Sequence, residues 1–183
     1  MTDTPHNEGD AGLGAYELQV YAMSPTAPSP TRLCAEAEGG GVPLAVREQD
    51  GGGPDDAAWS RLVIGTGDSP KVTVVSVHDS LESQLALFRE AVDEGEEIPE
   101  ELFEARRLYL IELPERPDEG EAEDEEDDGS DAAFVLSAWA LAGLTDGLIF
   151  DPQEEFFADA ESFLAVLMDE ETANAGLGGP AGD

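Results

Sequence analysis

A chain of 183 residues has room for one ordinary domain and not for two comfortable ones. Its 43 acidic residues face only 8 basic ones, a formal net charge of −35, so nucleic acid and anionic membrane are excluded as partners by repulsion. Hydrophobic residues make up 40%, gathered in runs of Val, Leu, Ile, Phe and Ala, so the middle of the chain is able to bury a core.

Residues 1–14 are polar and aperiodic and read as a mobile tail; 15–171 read as the domain. Tyr16 to Met23 sets Tyr16, Leu18, Val20 and Ala22 against Glu17, Gln19 and Tyr21, the period of two of a strand. Pro25, Pro28 and Pro30 make a stiff loop, and Thr31 to Glu38 forms a short helix closed by Gly39, Gly40 and Gly41. Val42 to Glu48 is a second strand. Trp59 to Ile64 and Val72 to Val77 are β-branched runs across a Gly-rich connection, the signature of an antiparallel pair.

Asp79 followed three residues later by Glu82 reads as a capping box for a helix whose apolar face is Leu81, Leu85, Phe88 and Val92, ending near Gly95. Pro99 to Ala105 suggests a short helix and Arg107 to Leu113 a strand. Residues 118–131 hold ten acids in fourteen positions, a solvated acidic loop. Ala132 to Leu144 is apolar on nearly every side, a buried helix; at thirteen residues it falls short of the roughly 20 of a membrane span. Leu148 to Phe150 begins a short central strand. Asp151-Pro152-Gln153-Glu154 reads as the cap of a last helix through Phe156, Ala160, Phe163, Leu164 and Leu167 to about Glu170, and 172–183 read as a second tail. The expected fold is α+β: a mainly antiparallel sheet of five or six strands with three to five helices packed on it.

Chemistry is sparse. In the acidic tract Asp124, Glu126, Asp128 and Gly129 begin a Ca2+ loop, but its twelfth position, where a bidentate Glu closes the cage, is Val135. Weak cation binding at Asp124, Glu126 and Asp128 is the expectation there, not a specific metal site. His78-Asp79 at a strand exit is the least implausible catalytic pair, against the plainer reading of a helix cap beside a surface His. Cys34 is the only cysteine, so no internal disulfide forms, and it reads as a small apolar core residue. Gly65-x-Gly67 leads into another strand, not the helix a phosphate cradle needs. Arg106-Arg107, the densest basic spot, reads as pairing with Glu100, Glu101, Glu104 or the tract. No cofactor is implied.

Lys71 is the one lysine among the eight basic residues. That skew resembles proteins of salt-accumulating archaea and bacteria, where a screening length of roughly 3 Å at 1 M salt makes dense carboxylates tolerable; a GC-rich genome produces a similar bias without salt. The segment from Arg107 through Gln153 is similar in organisation to small bacterial α+β domains, some of them immunity-like, and that likeness implies no catalytic residue. With a polar, acidic start and a lone cysteine, the expected compartment is the cytoplasm. The leading functional reading is a non-enzymatic module binding another protein; the alternatives are a hydrolase-type enzyme using carboxylates in a cleft and an acidic decoy for a basic protein.

Overall fold

A computed structural model describes residues 16–67, 72–113 and 130–166. The acidic stretch through residue 129, both terminal segments and Lys71 lie outside the described residues, and with them the cation-binding candidates Asp124, Glu126 and Asp128.

The chain is α+β. Seven strands form one sheet in which every neighbouring pair is antiparallel: β1 (Tyr16–Ala22), β2 (Leu44–Asp50), β3 (Arg61–Thr66), β4 (Val72–His78), β5 (Arg107–Leu113), β6 (Leu148–Asp151) and β7 (Phe156–Ala158), in the spatial order β2-β3-β4-β5-β1-β6-β7. Helices α1 (Pro30–Gly39), α2 (Leu81–Glu94) and α3 (Ser130–Thr145), a 3-10 turn at Glu100–Glu104 and a helix beginning at residue 160 complete it. The sheet has one strand more than the sequence suggests, and the extra one is β7.

Alternation along the strands builds two cores. Leu18, Val20 and Ala22 of β1, Tyr109 and Ile111 of β5, Val75 of β4, Leu62 and Ile64 of β3 and Ile149 of β6 point to one face and are buried under α1 and α3. Tyr21, Leu108, Leu110, Leu148, Phe150 and Phe157 point to the other, where Leu85 and Phe88 of α2 and Leu102 of the 3-10 turn cover them. α3 carries Ala133, Ala138, Ala140 and Ala142 buried along its length, small side chains that let it lie close to the sheet and to α1.

Caps and turns fix the ends. Ser29 accepts a hydrogen bond from the Arg32 amide, with Pro30 at the first helical position of α1. The backbone carbonyl of Thr145 receives the amides of Met23 and Ser24 at 3.1 and 3.2 Å, tying the end of β1 to the end of α3. Gly147 is required there, because a Cβ would lie 2.9 Å from the Tyr21 carbonyl. Trp59, expected in a strand, stands just before β3; its indole N–H donates to the Pro28 carbonyl at 2.7 Å in the first core, so the bulky ring is placed by a loop.

Four further expectations change. Asp79 does not cap α2: Ser80 precedes the helix and makes no side-chain bond to its amides. β6 lies one strand from the edge, not at the centre, a place β5 takes. Ser130 and Asp131, assigned to the acidic loop, are the first residues of α3. Asp151-Pro152 does not start a helix: it turns the chain back into β7, and the helix starts nine residues after Asp151, with Asp159 accepting the Ser162 amide at 2.7 Å. Phe156 therefore sits on a strand, with Phe156 opposite Asp151 and Phe157 opposite Phe150.

Candidate functional site

His78 and Asp79 are exposed at the exit of β4. The His78 Nδ1 lies 2.6 Å from the Ser80 hydroxyl and 3.3 Å from the Ser80 amide, which ties the ring to its own turn. No described group of three or more His, Cys, Asp or Glu side chains is arranged to hold a metal ion. Cys34 is half-buried on α1 against the first core, and burial pushes its thiol pKa up, as suits an apolar packing residue better than a nucleophile. Arg106 and Arg107 form no ion pair with Glu100, Glu101 or Glu104, and the acidic tract, the other expected partner, lies outside the described residues; ion pairs elsewhere join Arg61 to Glu48 and Asp50, each at 3.8 Å on exposed side chains.

What the structure does assemble lies at the other end of the first face. β1 begins there with Tyr16 and Leu18, β5 ends there at Leu113, and α3 enters with Phe134 and Val135. The β6–β7 turn brings Asp151 and Glu154, β7 brings Phe156, and the last helix brings Phe163 and Val166. Between them is a cleft of about 440 Å³. Tyr16 and Phe134 meet edge to face, ring centres 5.3 Å apart.

Asp151 is the polar centre of this cleft and is only 3% exposed. Its Oδ1 accepts the backbone amides of Gln153 at 2.8 Å and Glu154 at 3.2 Å, while Oδ2 accepts the Tyr16 hydroxyl at 2.8 Å. The sequence produces this locally. An Asp folds its side chain onto the amides two and three residues on, Pro152 presets the turn, and Glu155 completes it in the left-handed region at φ 53°. Three donors, each strengthened by the carboxylate charge, hold the group in one orientation. Of the two cleft carboxylates only Asp151 is buried; Glu154 stands at the exposed rim.

Sequence reasoning read Asp151 as a helix cap. The local signal, Asp-Pro followed by an acid, is shared by a cap and by this turn, and nothing local announces that Tyr16, 135 residues away, meets the other carboxylate oxygen. A second depression, of about 690 Å³ beside the end of α2, is lined by Val92, Ile98, Pro99, Phe103 and three exposed glutamates and holds no buried polar group.

Outside the cleft, exposed acids are spread over both sides of the fold: Glu36 and Glu38 on α1, Asp55 and Asp56 in the loop before β3, Glu82, Glu90 and Asp93 on α2, and Glu161 on the last helix. No described helix is long and apolar enough to cross a membrane. Comparison of the chain with protein-family models, curated proteins and solved structures finds no match.

Proposed function

We propose that the chain is a non-enzymatic binding or accessory module of a salt-rich cytoplasm that engages another protein through the Tyr16–Asp151 cleft. The observation that carries this reading is the cleft: open aromatic and aliphatic walls around a carboxylate held by three donors. A carboxylate fixed by two amides and a phenol suits recognition, where a fixed acceptor confers direction, better than repeated proton transfer. Val166 on the cleft wall is 44% exposed, an apolar surface of the kind that marks contact sites. The even spread of acids fits a solvating surface better than a single partner-directed acidic face.

A photo-activated benzophenone side chain in place of Val166, introduced in the host cell, tests the binding half. One discrete protein adduct is expected from that position, weakened by Glu154→Lys on the cleft rim and missing when the probe replaces Glu82 on α2. The same adducts from both positions would refute it. For the salt half, thermal unfolding is followed from about 0.1 M to about 3 M KCl, where screening shortens several-fold. The melting temperature should climb throughout, and a flat profile removes the salt reading.

A further inference from the structure

We propose that the cleft takes an organic cation, an ammonium group carried on an apolar stem; this rests on reading the cleft as a binding site. Asp151 is 3% exposed, yet its partners are two amides and a phenol, none of them charged, and no basic side chain among the described residues pairs with it. Hydrogen bonds satisfy its lone pairs in part but leave the charge, and buried charges are ordinarily met by an opposite one. The walls supply a second attraction of the same sign. Tyr16, Phe134, Phe156 and Phe163 line the space, and aromatic rings draw cations through their quadrupole, more strongly where water is excluded.

Other ligand classes fit less well. An anion meets Asp151, Glu154 and a net charge of −35. A neutral apolar ligand gains the walls but adds no counter-charge to the buried carboxylate, which has none among the described residues. A volume of about 440 Å³ lies within the range of small-ligand sites and accommodates a stem of several carbons with its head group. The ammonium belongs either to a free alkylamine or to a lysine side chain of the partner.

The test follows the backbone amides of Gln153 and Glu154 by NMR while hexylammonium, hexanol, hexanoate and N-acetyl-lysine methylamide are titrated in about 1 M KCl. There a screening length of roughly 3 Å removes general attraction to the acidic surface. Hexylammonium should shift both amides saturably and bind about tenfold tighter than hexanol, with hexanoate silent. Asp151→Asn keeps an oxygen for the two amides; it should lose that tenfold margin and leave hexanol unchanged. Should it fail to fold, Glu154→Gln at the exposed rim should reduce the margin by a smaller factor. Tight binding of the lysine derivative assigns the cation to a partner side chain, and binding of hexylammonium alone assigns it to a free amine. Equal affinity for hexanol and hexylammonium overturns the cation while the cleft stands as a binding site; no amide shift with any probe overturns the cation, and loss of the Val166-specific adduct overturns the binding reading independently.

Discussion

Strands β1, β5, β6 and β7 supply both faces of the sheet by alternation, yet the two faces are closed by different means. The first face is mostly aliphatic, with the rings of Trp59, Tyr109, Phe134 and Phe163 set among the aliphatic side chains, and lies under α3, whose alanines bring the helix close, so Leu62, Ile64, Ile111, Leu141 and Ile149 are wholly buried. The second face is aromatic and smaller: Phe88 of α2 meets Tyr21, Phe150 and Phe157 edge to face at 5.4 to 5.8 Å, while Leu87 and Val92 of the same helix stay 59% and 41% exposed. A helix apolar on every side is used up as core, whereas one with a single apolar stripe covers a sheet only in part. The cleft opens at the margin of the more completely closed face, where its strands, helices and turn end together.

The sharpest way to break this contrast is to cut one residue from each face. Leu141→Ala removes a wholly buried side chain and should cost about 3 kcal/mol in urea unfolding. Phe88→Ala, half-buried with three aromatic neighbours, should cost about 2 kcal/mol. A larger loss at Phe88 would mean that the aromatic face is the main anchor and would reverse the ranking.

The two buried tyrosines sharpen it further, one on each face. The Tyr21 hydroxyl donates to Gln19 Oε1 at 2.7 Å, whereas the buried Tyr109 hydroxyl makes no well-formed hydrogen bond among the described residues and has the Arg107 guanidinium close by. Tyr21→Phe should therefore cost about 1 kcal/mol and Tyr109→Phe less, since only the poorly formed contact with Arg107 is lost and the ring remains against Trp59. Burial raises both phenol pKa values; the Glu17 charge adds to the rise at Tyr21, and Arg107 opposes it at Tyr109. A phenol with a raised folded-state pKa contributes stability that is intact below the unfolded value of about 10 and is lost as pH climbs through the folded value. Urea midpoints should thus fall above about pH 10, and less steeply in Tyr21→Phe. A midpoint indifferent to alkali would show that the phenols are not sequestered.

Much of this architecture is legible in the sequence because periodicity is local. The alternation of Tyr16 to Ala22, the β-branched run of Val72 to Val77, the stripe of α2 and the all-round apolarity of α3 each name an element, although Tyr21, set on the polar side of β1, is wholly buried and Val92 of the α2 stripe is exposed. The misreadings fall where one local pattern serves two structures. Asp151-Pro152 starts a turn as readily as a helix, so the three-residue β7 was hidden inside a helical spacing of Phe156, Ala160 and Phe163. The cleft was illegible for a different reason. Its acid and its phenol are 135 residues apart and meet only because β1 pairs with β6, a pairing that no single segment encodes.

The smallest effect concerns the helix that walls the cleft beyond that turn. Asp159 accepts the Ser162 amide at 2.7 Å at the helix start, and bonds from Ser162 hold its carboxyl below the usual carboxylate range. The side chain is exposed, so water screens the charge and the expected cost of Asp159→Ala is that of an ordinary cap, about 0.5 to 1 kcal/mol. With the folded pKa depressed, this contribution is present above the unfolded value of about 3.9 and disappears as pH falls through the folded one. Wild type and Asp159→Ala should therefore differ in urea midpoint at neutral pH and converge in acid. A difference that persists below about pH 2 would assign the cap's effect to packing of the 160–166 helix against the sheet and not to its carboxylate.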